Sequence, residues 1–120
     1  MEASTVEAKS FDLAVRIVNL YRFLTKEKKE FDLSKQILRS GTSIGANVSE
    51  GEWGQSKADF YSKMSIALKE ANETYYWLRL LNATDYINET QFLSLEKDVS
   101  ELIALLTAIC KITQDSIKTK

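Results

Sequence analysis

The chain has 120 residues, of which 44% are hydrophobic and 28% charged, and its formal net charge is −1. This composition fits one ordinary globular domain, and the small net charge excludes a global basic field for nucleic acid. With no histidine and a single cysteine, Cys110, the chain by itself excludes disulfides, zinc sites and Ser–His–Asp triads.

The first predicted helix runs from about residue 8 to residue 28. Its apolar residues form two stripes, and together they span an arc of about 200°, whereas a core-facing side needs only a little over 100°. The surplus predicts a second contact surface on this helix. One stripe consists of Phe11, Ala14, Val15, Val18 and Tyr21. The other, to which we assign candidate subunit contacts, consists of Leu13, Ile17, Leu20 and Leu24.

The charged segment KEKKE at residues 26–30 predicts a solvated turn after this helix. Basic residues gather on both sides of the turn, and such a cluster is able to form a local nucleic-acid surface. The candidate residues for this surface are Lys26, Lys28, Lys29, Lys35 and Arg39.

The second predicted helix covers residues 33–51, with Asp32 as the expected N-cap and a buried stripe of Leu33, Ile37, Gly41, Ile44 and Val48. All four glycines of the chain lie in residues 41–54. A glycine inside a helix costs about 0.5–1 kcal/mol relative to alanine. Gly41 and Gly45 therefore indicate either close helix packing or a flat surface for a partner, while Gly51 and Gly54 fit the exit turn.

A polar row runs beside the apolar stripe of the second helix and consists of Gln36, Ser40, Ser43, Asn47 and Glu50. It is either the water-facing edge or a half-buried hydrogen-bond network that sets helix register or lines a partner site. Arg39 and Lys35 are possible counter-charges for the carboxylates of Glu50 and Glu70. The residues assigned to this network or partner surface are Gln36, Arg39, Ser43, Asn47, Glu50 and Glu70.

The third predicted helix covers residues 56–82, begins with the capping pattern SKAD and buries the stripe Phe60, Met64, Ala67, Ala71, Thr74, Leu78 and Leu81. Near its end lies an aromatic and basic cluster of Tyr75, Tyr76, Trp77 and Arg79. This cluster is either part of the core edge or a stacking surface for bases.

The fourth predicted helix covers residues 89–118, and Asn88 and Gln91 stand at capping-box separation. Its core stripe runs from Phe92 to Cys110. A second, shorter apolar stripe predicts a contact between subunits. That stripe consists of Leu105, Ala108 and Ile112.

Four long helices and short loops predict an all-α, antiparallel up-down-up-down four-helix bundle that forms one domain over residues 1–120. The first residues lack the pattern of a signal peptide, and no apolar run approaches the roughly 18–20 residues of a membrane span. We therefore expect a cytoplasmic protein with no membrane association, cofactor, metal or small-molecule substrate.

The segment QILRSGTSIGANVSEGEWGQSKADF, followed by SIALKEANETYYWL, resembles the bacterial four-helix-bundle proteins encoded in intervening sequences of 23S ribosomal RNA genes. The resemblance covers about residues 11–81 and implies a bundle that assembles as a homopentamer. It extends to the accessory variability determinant proteins of diversity-generating retroelements, which are pentamers that bind a reverse transcriptase and nucleic acid. The matched residues are Gln36, Arg39, Ser40, Ser43, Ile44, Asn47, Glu50, Gly51, Ser56, Asp59, Phe60, Ala67 and Glu70. Glu73 is the alternative match for the last glutamate.

The sequence therefore predicts a non-enzymatic, homo-oligomeric scaffold, a pentamer by resemblance, that presents a surface to a protein or nucleic-acid partner. The alternative is an accessory module that binds RNA or DNA through the lysines of the first turn. An enzyme would need a carboxylate pair, such as Glu50 and Glu70, in a pocket.

Overall fold

The structure, a computed structural model, describes residues 5–118. In this range α1 covers Thr5–Lys26, α2 Leu33–Glu52, α3 Lys57–Ala83 and α4 Glu89–Lys118. Each helix packs on the next one in the chain, and α4 returns to α1 through a sparser contact. The predicted all-α, antiparallel four-helix bundle is confirmed.

Contacts between neighbouring helices show the antiparallel order directly. Gly41 of α2 faces Ile17 of α1, and Gly45, one turn later, faces the earlier residue Ser10. On the other side of the bundle, Ser65 of α3 contacts Cys110 of α4. Nearer the loop that connects these helices, Tyr75 of α3 contacts Glu96 of α4, so later residues of α3 meet earlier residues of α4.

The core consists of apolar positions spaced three and four residues apart on each helix, the spacing that places them on one face. Burial of each such leucine or isoleucine stabilises the fold by about 1.5–3 kcal/mol. Leu33 and Phe60, which the patterns also assign to the core, are only half-buried at the ends of their stripes. The largest fully buried side chains are Leu13, Ile17, Leu24, Ile37, Ile44, Met64, Leu78, Leu81, Leu102, Leu106, Val48 and Val99.

Asp32 occupies the N-cap position of α2, as predicted, but the side chain that caps the helix is that of Glu30. The Asp32 side chain makes no capping hydrogen bond. The Glu30 carboxylate, which is buried, accepts hydrogen bonds from the backbone N–H groups of Asp32, Leu33 and Ser34 at 2.7–3.1 Å. Lys29 just before it adopts a positive φ of 54°, so the chain turns sharply between α1 and α2.

The predicted caps of the other two helices are confirmed. The Ser56 side chain accepts a hydrogen bond from the backbone N–H of Asp59 at the start of α3. At the start of α4, Asn88 and Gln91 form the reciprocal pair of a capping box, with both distances at 2.8 Å.

Candidate functional site

Arg39 of α2 links the polar row to α3. Its guanidinium donates hydrogen bonds to the carboxylates of Glu70, at 3.0 Å, and Glu73. Glu73 also accepts a hydrogen bond from the indole N–H of Trp77 at 3.1 Å. Glu70 is the more buried of the two carboxylates, so this cluster forms a polar clamp along the seam between α2 and α3.

A buried hydrogen bond lies under the clamp. The Thr74 hydroxyl of α3 lies 2.9 Å from the Ser40 hydroxyl of α2, and both residues are fully buried. Because buried polar groups need specific partners, this pair holds α2 and α3 in one register.

The rest of the predicted polar row does not join the clamp. The Asn47 side chain donates to the carbonyl oxygen of Ser43 within α2. Glu50 pairs with Lys63 of α3 at 2.8 Å, and Gln36 lies exposed to solvent. The structure therefore brings Arg39 and Glu70 together, while Glu50 belongs to a separate ion pair.

The lysines of the predicted nucleic-acid surface, Lys26, Lys28, Lys29 and Lys35, are all exposed. Arg39 does not belong with them, because its charge is paired with the two carboxylates of the clamp. The ammonium group of Lys28 lies 5.8 Å from the ring centre of Phe23. An aromatic side chain that the pattern missed, Phe31, stands among these lysines and is 52% exposed.

The stripe of Leu13, Ile17, Leu20 and Leu24 is not available for subunit contacts, which corrects the assignment made from the sequence. All four side chains are buried in the core of the same chain. The apolar residues of α1 that the core does not bury belong to the other stripe, in which Phe11 is 66% and Val15 46% exposed. The buried stripe of α1 is therefore the one whose large aliphatic residues are spaced four, three and four residues apart.

The apolar stripe of α4 has mixed exposure. Leu105 is half-buried and packs against the core, whereas Ala108 and Ile112 are exposed. Cys110 beside them is half-buried, with its sulfur 3.8 Å from the Ser65 hydroxyl.

A groove of about 660 Å³ separates the outer faces of α1 and α2. Small side chains line its floor, Phe11 forms one wall, and the acidic side chains of Glu7 and Asp12 lie on the α1 side. The sequence showed the small residues but not that they face Phe11 across a groove. The floor consists of Ala14, Thr42, Gly45, Ala46 and Ser49.

Most of the aromatic cluster on α3 belongs to the edge of the core. Tyr75 and Trp77 pack against buried residues, whereas Tyr76 is exposed. The Tyr75 hydroxyl donates to the Glu96 carboxylate of α4 at 3.1 Å. This hydrogen bond raises the pKa of Tyr75 above its ordinary value of 10.0.

Two other kinds of site are absent from residues 5–118. In this part of the chain no three histidine, cysteine, aspartate or glutamate side chains are grouped closely enough to hold a metal ion. No helix in the same range is long and apolar enough to cross a bilayer.

Comparison with known proteins identifies the family of this bundle. The sequence model of the 23S rRNA-intervening sequence protein family matches residues 2–108. No curated protein matches the chain. A similar solved structure is that of a Bacteroides thetaiotaomicron VPI-5482 protein with unknown function from the S23 ribosomal protein family. The two sequences are 60% identical, the TM-score is 0.88, and the match covers 89% of this chain and 99% of that one. The chain belongs to the 23S rRNA-intervening sequence protein family.

Proposed function

We propose that this protein is a non-enzymatic helical scaffold that assembles from copies of itself and presents its surface to a protein or nucleic-acid partner. The exposed apolar face of α1 carries the proposal, because Phe11 and Val15 lie one turn apart and are both exposed. Large apolar side chains that adjoin each other on a surface are typical of protein–protein contacts. The resemblance described above implies five copies.

The arrangement of the carboxylates supports a non-enzymatic role. Glu50 pairs with Lys63 and Glu70 pairs with Arg39, so the two glutamates form separate ion pairs. An acid–base site built on Glu50 and Glu70 would instead place their two carboxylates together in a pocket. Neither of them lines the 660 Å³ groove, whose acidic side chains, Glu7 and Asp12, lie on its α1 side.

We expect the substitution Phe11→Glu to break the assembly. The new carboxylate would lie beside Glu7 and Asp12 and would have to be desolvated in an apolar contact. Light scattering coupled to size exclusion, at micromolar concentration, should give several chains for the wild type and one chain for the variant.

A matched control is Phe31→Glu, because Phe31 is also an exposed aromatic residue but lies in the turn between α1 and α2. It should assemble like the wild type. A wild-type mass of one chain would overturn the scaffold proposal, and equal masses for wild type and Phe11→Glu would exclude the α1 face as the contact.

A second candidate function, binding of single-stranded RNA, is favoured by the turn between α1 and α2. The carboxylate of Glu30 is buried where it caps α2, so it does not form direct ion pairs with the exposed lysines of this turn. Five exposed basic residues, Arg22 and the four lysines, then face two exposed acidic ones, Glu27 and Asp32. Phe31 offers a ring on which a base can stack. The description of the similar structure as a member of the S23 ribosomal protein family is consistent with an RNA partner.

If RNA binds here, the double variant Lys28→Ala/Lys29→Ala should bind oligouridine more weakly and with less salt dependence. The slope of log K against log salt is negative, and loss of two phosphate contacts on a single strand makes it less steep by about 1.4. Fluorescence anisotropy of a labelled oligouridine over a salt series measures both quantities.

The control for charge is Lys69→Ala/Lys97→Ala, which removes two exposed lysines on the outer faces of α3 and α4. Equal losses in the two double variants, or no binding by the wild type at low salt, would exclude this turn as an RNA site. Phe31→Ala should weaken binding at all salt concentrations, since stacking contributes about 1–3 kcal/mol per base.

A further inference from the structure

The two glycines inside α2 differ in what the fold requires of them. A Cβ at Gly41 would lie 2.8 Å from Cγ1 and from Cγ2 of Ile17, so the packing of α1 on α2 needs a glycine there. A Cβ at Gly45 would lie 3.4 Å from the backbone oxygen of Ser10, which is an ordinary van der Waals contact. Packing within the chain therefore does not explain the helix-propensity cost of Gly45. What Gly45 does is keep the floor of the groove between α1 and α2 open.

A surface that fits this groove lies on the same chain, at the end of α4. Lys9 of α1 pairs with Glu101 of α4, and in this antiparallel pair Thr5, the first residue of α1, is level with about residue 105 of α4. From there α4 continues to Lys118, which is about 20 Å at 1.5 Å per residue. α3 supports this extension, as the hydrogen bond from Lys57 to Ser116 shows. We call Leu105, Ala108 and Ile112 the α4 tail surface.

The α4 tail surface continues the stripe that faces α1 higher in the bundle. Asp98, which accepts from Arg16, and Glu101 are followed at helical spacing by the three residues of the tail surface. Ile112, at 69% exposure, is among the most exposed large apolar side chains of residues 5–118. It also lies beyond the residues matched by the family model, so family membership does not imply a contact here.

The groove and the α4 tail surface match in length and in charge. The groove floor on α2 extends from Thr42 to Ser49, and the tail surface extends from Leu105 to Ile112. Each distance is seven residues of helix, or about 10 Å. Glu7 and Asp12 lie on the α1 side of the groove, whereas α4 after Glu101, whose charge is paired with Lys9, carries two lysines and one aspartate.

We infer that the α4 tail surface of one copy docks into the groove between α1 and α2 of a second copy. This inference rests on the proposed assembly and specifies its contact. Ile112 and Ala108 pack over Gly45 and against Phe11, and Lys111 approaches the acidic rim formed by Glu7 and Asp12. In this arrangement each copy binds one neighbour through its groove and another through its α4 tail surface, and repetition of such a heterologous contact gives a closed ring or an open chain of copies.

A mixing experiment with two folded variants tests this contact. Gly45→Leu fills the groove with a good helix former but keeps the tail surface intact. Ile112→Glu spoils the tail surface at an exposed position but keeps the groove intact. Light scattering should give one chain for each variant alone and two chains for the equimolar mixture, because the mixture contains one functional pair of surfaces. Thr107→Glu, an exposed position on a different face of α4, should assemble like the wild type.

The outcomes separate this inference from the proposed function. A monomeric wild type overturns both. If the wild type assembles and each variant assembles equally well by itself, the docking contact alone is overturned. The contact is also overturned if both variants are monomeric and their mixture stays monomeric, because an intact tail surface and an intact groove would then fail to bind each other, or if Thr107→Glu disperses the assembly. Circular dichroism of each variant should show the helical content of the wild type.

Discussion

Gly41→Ala is expected to lower the free energy of unfolding, because the added methyl group has no room between α1 and α2. It would lie 2.8 Å from two carbons of the Ile17 side chain and 3.2 Å from a third. These atoms form the stiff, β-branched base of a fully buried residue, so the two helices have to separate. Overpacking of this kind costs about 1–3 kcal/mol, and the better helix propensity of alanine returns at most about 1 kcal/mol. Urea unfolding followed by circular dichroism, at one fixed protein concentration, measures the difference.

A double-mutant cycle identifies the cause. Ile17→Ala removes both Cγ atoms and by itself should cost about 2–5 kcal/mol. In that background Gly41→Ala should cost much less or be neutral, because the two 2.8 Å contacts are gone and only the 3.2 Å contact with the Cβ of residue 17 remains, so the two substitutions should be coupled by more than about 1 kcal/mol. Gly45→Ala is the matched control, and it should leave the stability unchanged or raise it. Equal destabilisation by Gly41→Ala and Gly45→Ala would show that helix separation is not the reason for the glycine.

The fold is predictable from the sequence because α2 and α3 each have a single apolar stripe, which identifies the buried face of the helix. The α2 stripe Ile37, Gly41, Ile44 and Val48 is fully buried, as its spacing predicts. The α3 stripe from Met64 to Leu81 behaves in the same way. Long helices with a single apolar stripe and short loops have few ways to pack other than an antiparallel bundle.

The faces of α1 are where the sequence pattern was insufficient. Two apolar stripes signal two contacts, but periodicity alone does not say which contact lies within the chain. The structure places Leu13 and Ile17 inside and leaves Phe11 and Val15 outside. The regular spacing of large aliphatic residues was the available signal, since core packing favours large side chains at every position of one stripe.

The polar clamp shows a second limit. The family motif contains Arg39 and Glu70, and the sequence names Arg39 as a counter-charge for Glu70, but it does not indicate that Arg39 binds Glu70 and Glu73 together or that Trp77 donates to Glu73. Their participation depends on how far α3 is shifted along α2, and a pattern on one helix carries no information about that shift. The buried Ser40–Thr74 hydrogen bond fixes this register in the structure.

Glu30→Ala is expected to destabilise the bundle more than an ordinary substitution in a turn would. The Glu30 carboxylate satisfies three backbone N–H groups that otherwise lack a partner at the start of α2. Loss of a helix cap costs about 0.5–2 kcal/mol, and hydrogen bonds to a charged group contribute toward the upper end of that range or beyond it. Urea unfolding at neutral pH should show a loss of about 2 kcal/mol for Glu30→Ala, whereas Asp32→Ala, which removes the cap expected from the sequence, should be nearly neutral.

The same carboxylate should make the stability depend on pH. Burial raises the pKa of Glu30, but the hydrogen bonds from Leu33, Ser34 and Asp32 outweigh burial, so the pKa in the folded protein lies below the ordinary value of 4.5. A depressed pKa means that the stabilisation is fully present above pH 4.5 and is lost as the pH falls through the folded value. The stability difference between wild type and Glu30→Gln should therefore be largest at neutral pH and shrink in acid. Glu27→Gln, which neutralises an exposed carboxylate of the same turn, is the control. A difference for Glu30→Gln that stays constant from neutral to acidic pH would show that the charge of Glu30 does not stabilise the start of α2.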